Sequence, residues 1–266
     1  MKAAHESKSM KRIVVWSLAA WLVVMVMVMA FLPAAWMAPL VEQRSGGRIA
    51  LGEVRGTVWH GSAFIGVASD SQSGIAPLLP GRFTWRLSAL VLLGRTNMQV
   101  ENRAALTPPV SITGTWRRWE VSPSSVLLPA ERLAAFGAPL NTMRPSGQMR
   151  LSWQTLFIER GEGGMTIQGP MLLEMMQMAS ALSPVKPLGA YRLQIDWRGT
   201  TARLKLATTR GPLLLQGEGM LANGRLQFSG QAEAQEGKEE RLAILLNLLG
   251  QRRQVGNKNI IALEFK

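Results

Sequence analysis

The stretch Leu213–Ala234, LLLQGEGMLANGRLQFSGQAEA, decides the fold class of this chain. Its arms, Leu213–Gly219 and Gly224–Ala234, meet at Asn223-Gly224, a dipeptide that tolerates the positive φ angles of a type I′ turn and so closes a hairpin. Along the second arm Leu226 and Phe228 alternate with Gln227 and Ser229. A period of two belongs to an antiparallel sheet with one buried face.

The same pattern extends outward from the hairpin. Arg192–Arg198 (RLQIDWR) sets Leu193, Ile195 and Trp197 against Gln194, Asp196 and Arg198; Arg82–Leu87 (RFTWRL) sets Phe83, Trp85 and Leu87 against Arg82, Thr84 and Arg86, and precedes the apolar run Leu90–Leu93. Met98–Glu101, Val110–Trp116, Gln148–Trp153 and Phe157–Glu159 add short strands. Between Ile49 and Val67 the β-type runs are punctuated by Gly52, Gly56, Gly61 and Gly66. Met171–Leu182 (MLLEMMQMASAL) fits a helix stripe nearly as well as a buried strand; the strands around it and Gly169-Pro170 favour a strand.

Helices are few. Pro39–Arg44 extends a short one, stopped by Gly46-Gly47, and Pro129–Phe136 has Pro in a first-turn position and Gly137 where a C-terminal cap falls. Glu239-Glu240 precede Leu242, Leu245, Leu246 and Leu249, a single apolar stripe ended by Gly250, which predicts an amphipathic helix covering the sheet. Ser122–Pro129 and Ser183–Pro187 are candidate lobe junctions in an otherwise unbroken β body.

At the amino-terminal end, Ile13–Leu32 (IVVWSLAAWLVVMVMVMAFL) carries no charge. Its length matches the roughly 20 residues a helix needs to cross a bilayer and exceeds the apolar core of a cleaved signal, typically about 7–15 residues. Lys2, Lys8, Lys11 and Arg12 lie before it, which places that end in the cytoplasm by the positive-inside rule, and Trp36 sits as an interfacial aromatic beyond it. The expected organisation is a cytoplasmic tail (1–12), a transmembrane helix (13–32) and a periplasmic β-rich domain (33–266). The expected fold class is mainly β: one transmembrane helix, then an elongated, twisted, mostly antiparallel sheet, an open barrel or groove-like, with a few short helices.

Composition narrows the chemistry. The net charge is +13, but the basic residues are spread along alternating strands instead of gathered in a run, and nucleic acid is not expected as a partner. No cysteine is present, which removes disulfides, thiolate metal sites and thiol catalysis. Of two histidines, His5 lies in the tail, and His60 has Ser62 nearby without the orienting third group or strained serine turn of a triad. Glu159 with Glu162, and Glu233, Glu236, Glu239 and Glu240, read as solvated surface. Gly217-Glu218-Gly219-Met220-Leu221-Ala222 matches a dinucleotide fingerprint only formally, because a turn and a strand follow it instead of a helix. The fifteen methionines are a habit of composition more than a soft-metal site, and Trp59, Trp85, Trp116, Trp119, Trp153 and Trp197 suit cross-strand packing. No catalytic residue, cofactor ligand or metal ligand is expected, and the chain is not expected to be an enzyme.

The chain resembles the general secretion pathway protein N family of bacterial type II secretion systems. The resemblance rests on the basic tail and anchor, Pro33–Leu40 (PAAWMAPL), Gly47–Gly61 (GRIALGEVRGTVWHG), Leu182–Arg192 (LSPVKPLGAYR), the hairpin and Leu242–Gly250 (LAILLNLLG). Trp59, Gly61, Pro184, Pro187, Gly189, Tyr191, Asn223 and Gly224 are its motif positions, structural or interacting in role. Such a resemblance implies a bitopic inner-membrane accessory subunit, single-pass with its body in the periplasm, that supports export of folded proteins. It also implies partners among the other secretion components, the inner-membrane platform or the secretin. The architecture is similar also to AsmA-like envelope proteins, which implies as an alternative a β-groove that binds or transfers lipid, lined by residues such as Phe83, Trp85, Leu193 and Ile195.

Overall fold

A computed structural model describes residues 3–47, 49–68, 75–136, 140–162, 164–222, 224–255 and 258–265, with side chains from 15 onward apart from 68, 75–76, 136, 251–260 and 265. Helix α1 (Ala3–Ala30) comes first, and a 3-10 turn at Ala34–Trp36 leads into α2 (Met37–Arg44). Gly46 and Gly47, at φ 64° and 76°, stop α2 as the sequence predicts. Among the described residues no helix is long and apolar enough to cross a membrane. The side chains of α1 are described only from Val15, so the expected span Ile13–Leu32 lies partly outside them, as do the side chains of Lys2, Lys8, Lys11 and Arg12.

The body is one large antiparallel sheet. Strands β1 (Ala50–Gly56), β2 (His60–Ala68), β3 (Ile75–Pro77), β4 (Phe83–Leu87) and β5 (Arg95–Glu101) open it. Then come β6 (Leu106–Thr107), β7 (Val110–Thr115), β8 (Arg118–Val121) and β9 (Ser124–Pro129). After the short helix α3 (Leu140–Met143) follow β10 (Pro145–Trp153), β11 (Leu156–Gly161) and β12 (Gly164–Ser180). The last part comprises β13 (Gly189–Gly199), β14 (Thr201–Arg210), β15 (Leu213–Ala222), β16 (Arg225–Ala234), α4 (Glu239–Leu249), β17 (Gln251–Val255) and β18 (Lys258–Phe265).

Register defines the path through the sheet. Pairing runs β1–β2–β4–β5–β7–β8–β11–β12 and onward β13–β14–β15–β16–β18–β17. Strand β12, 17 residues long, is the fork: β13 follows one edge, while the other is shared by β11 near Gly164–Gln168 and β10 near Met171–Ser180. Beyond β10 lie β9 and then β6. The branch β10–β9–β6 folds over β4, β5, β7, β8 and β11. Between them Phe83, Leu106, Val110, Val121, Val126 and Leu156 form a closed core.

A second core lies at the other end. Leu242, Leu245 and Leu246 of α4 pack on Leu188, Leu213, Ala232, Ile261 and Leu263, so the helical stripe covers the sheet as its spacing requires. A third cluster, Ala34, Ala63 and Trp85 with Met37 and Leu51, seats the start of α2 against β1, β2 and β4.

Most strand expectations hold, and Met171–Leu182 resolves as strand up to Ser180. Two departures follow from tertiary pairing. Pro129 ends β9 opposite Gln148, and Ala130–Phe136 is a 3-10 turn instead of an α-helix. Ser124–Pro129 is a strand inside the closed core, so it divides no lobes. Leu90–Leu93 belongs to a 3-10 turn, Ala89–Leu93, capped by Ser88 and ended by Gly94 at φ 84°. Asn223 lies outside the described residues; around it Ala222 opposes Arg225, and Gly224 has the positive φ (77°) that the hairpin requires.

Candidate interaction surface

Register assigns every strand residue to one of two faces, because directly opposed residues share a face. From β2 to β18 one face is apolar: Ala63, Trp85, Val100, Ile112, Val121, Ile158, Met171, Leu193, Leu204, Leu215, Phe228 and Leu263 follow one another across the pairings. The other face is polar and carries cross-strand ion pairs, Arg118–Glu159 at 2.7 Å, Arg192–Glu174 at 3.6 Å and Lys205–Glu218 at 3.4 Å. The sheet is thus amphipathic along its whole width.

Cover on the apolar face is uneven. Phe83 and Trp85, each 7% exposed, are sealed in cores and do not line a trough. Leu193 and Ile195 behave differently: with Leu173, Trp197 and Leu206 they are half-buried, in the interval between the closed core and α4. That interval is an open apolar strip.

The motif positions fall at both ends of the sheet. Trp59 Nε1 donates to the Met29 carbonyl at 2.7 Å, and the Trp59 carbonyl accepts from Leu87 N at 2.7 Å, so this residue fastens the last turns of α1 to β4. Gly61 lies under the Trp85 indole, whose Nε1 donates to the Val58 carbonyl at 3.0 Å. Pro184 sits in the β12–β13 connection, where the Lys186–Pro187 peptide is cis. Next, Gly189 lets the strand approach the Arg210 carbonyl and the Tyr191 hydroxyl, and Tyr191 donates to the Leu213 carbonyl at 3.1 Å. Burial pushes the Tyr191 phenol well above its ordinary range. These residues knot the far end of the sheet beside α4.

His60, Ser62 and Glu159 do not converge on one site. His60 opens β2 opposite Arg86 and is exposed; Ser62 instead accepts a hydrogen bond from Arg82 at 3.2 Å. Glu159 pairs with Arg118, and among the described residues no three carboxylate or imidazole groups gather as a metal site would need. Two shallow cavities of about 730 and 750 Å³ lie on the polar face, around Arg203, Glu218 and Gln227 and around Arg118, Glu120 and Glu159.

Strand edges and one surface patch remain. Among the described residues β17 pairs only with β18, so its outer backbone edge is unused. Trp36 is 65% exposed. One feature the periodicity did not assign is the exposed group Leu90, Leu92, Leu93 and Trp116; four apolar residues in a row between Ser88 and Gly94, without alternation, were its sequence signal.

Comparison with known families gives a match to the family described as Type II secretion system (T2SS), protein N, over residues 47–260. No curated protein and no solved structure matches.

Proposed function

We propose, from the premise that this chain belongs to the type II secretion system protein N family, that it is a bitopic inner-membrane subunit acting as a non-catalytic scaffold in export of folded proteins. The cytoplasmic tail carries Lys2, Lys8, Lys11 and Arg12, the anchor is Ile13–Leu32, and the β body stands in the periplasm. The observation that carries the scaffold reading is the open sheet, whose outer strand β17 offers a row of backbone donors and acceptors to a strand from another secretion component.

Replacing residues 1–32 by a cleavable signal frees the body in the periplasm. Secretion is then expected to stop although the body is exported and folded; undiminished secretion sinks the tethering role. Photocrosslinking from position 254 of β17 is expected to capture a component of the secretion machine, whereas position 216, inside the sheet, captures none.

A second reading is favoured by the open strip of Leu173, Leu193, Ile195, Trp197 and Leu206, which a phospholipid acyl chain would cover. A photoreactive side chain at Leu193 then forms phospholipid adducts in cells and one at Gln194, on the polar face, does not. Equal, negligible labelling at both positions eliminates lipid carriage.

A further inference from the structure

We infer that the 3-10 turn Ala89–Leu93, together with Trp116, is a second membrane contact: a patch that dips into the anionic bilayer surface beside the end of α1. The inference rests on reading α1 as the anchor.

Three observations carry it. The patch is built to be exposed: Leu90 is 46%, Leu92 49%, Leu93 79% and Trp116 58% accessible, yet the turn is capped by the Ser88 side chain, ended by Gly94, and tied to β7–β8 because Trp116 Nε1 donates to the Val91 carbonyl. With three residues per turn, Leu90 and Leu93 fall on one side. A rigid, uncovered apolar cluster of this size marks a surface that meets something apolar.

Its position is set by α1. Trp59 holds the Met29 carbonyl of α1 through its indole and Leu87 N through its own carbonyl, and Leu87 immediately precedes the patch. Strand directions put the β1–β2, β4–β5 and β7–β8 connections at this same end of the sheet. A bilayer crossed by α1 therefore lies at the level of Leu90, Leu92 and Leu93.

Charge selects the partner. The segments Leu87–Val100 and Asn102–Trp119 contain no acid, and exposed Arg95 and Arg117 flank the leucines and Trp116. Leucine and tryptophan inserted at headgroup depth, with arginines for lipid phosphates, is the chemistry of an interfacial anchor on anionic lipid.

The full chain lacks cysteine, so a single probe can be placed cleanly. Leu93→Cys and, at the opposite end of the sheet, Glu236→Cys are labelled with a polarity-sensitive dye, and the full chain is reconstituted into phosphatidylcholine vesicles with and without phosphatidylglycerol. The dye at Leu93→Cys is expected to shift to the blue, to be quenched by nitroxide lipid, and to be several-fold less accessible to iodide than at Glu236→Cys. Adding Arg95→Glu and Arg117→Glu should weaken that protection in phosphatidylglycerol vesicles. Chain that stays with the vesicles through an alkaline wash while Leu93→Cys remains as iodide-accessible as Glu236→Cys overturns the patch and leaves the anchor standing; a protein partner, not lipid, then covers the leucines. Protection before the wash followed by loss of the chain on washing keeps the patch and overturns the anchor.

Discussion

At the scale of single residues, Gly61 and Tyr191 each sit in tightly constrained surroundings. A Cβ on Gly61 would meet the Trp85 indole, with Cε2 2.7 Å away, and the Thr57 carbonyl at 2.8 Å. Neither yields easily, since Thr57 is backbone in the turn that receives α1 and Trp85 is buried. Gly61→Ala is expected to destabilise by about 1–3 kcal/mol, the usual range for overpacking, read as a lower urea midpoint at unchanged slope. Tyr191 is 5% exposed and donates to the Leu213 carbonyl, so Tyr191→Phe should cost about 1 kcal/mol at neutral pH. Its raised pKa adds a pH signature. The unfolded phenol ionises near pH 10 while the folded one keeps its proton, so this stabilising contribution is complete below about pH 10 and is lost as pH rises beyond it. The stability gap between the wild type and Tyr191→Phe is therefore expected to narrow above pH 10 in alkaline denaturant titrations; a constant gap would mean the phenol is not protected.

At the scale of elements, α4 separates core from surface within one helix. Leu245 is 1% exposed against Leu213, Ala232 and Ile261, whereas Leu248 is 47% exposed. Leu245→Ala is expected to cost about 2–5 kcal/mol and to raise hydrogen exchange in α4 and β16, while Leu248→Ala stays within about 0.5 kcal/mol. This helix was legible because its stripe is local, and the β15–β16 hairpin was legible because Asn223-Gly224 fixes its register. The fork at β12 was not. Which of β10, β11 and β13 pairs with which stretch of Gly164–Ser180 depends on partners distant in sequence, and period two is the same for all of them. The turn at Ala89–Leu93 was likewise opaque, because a short apolar run without alternation suits a buried strand, a helix or an exposed loop equally.

At the scale of the whole molecule, alternation read along single strands foretold an amphipathic sheet but not where its apolar face is closed. Phe83 and Leu193 have the same sequence signature; one is sealed because β9 and β10 fold back over it, the other lies half-buried beyond that core. The polar face follows a simpler rule, and it yields a test. Its ion pairs are exposed, with side-chain accessibilities of 71% and 40% for Arg118 and Glu159 and 61% and 73% for Lys205 and Glu218, so each is worth at most about 1 kcal/mol. Against them stands a net charge of +13, whose mutual repulsion is released when the chain expands. Salt screens both, but the unpaired excess of arginine outweighs a few exposed pairs at separations near a Debye length of about 10 Å in 0.1 M salt. Raising sodium chloride from about 0.05 to about 0.5 M, which shortens the Debye length roughly threefold, is therefore expected to raise the thermal unfolding midpoint of the protein in neutral detergent. A fall in the midpoint would instead mean that the cross-strand pairs dominate, and that the polar face is held by its charges and not merely wetted by them.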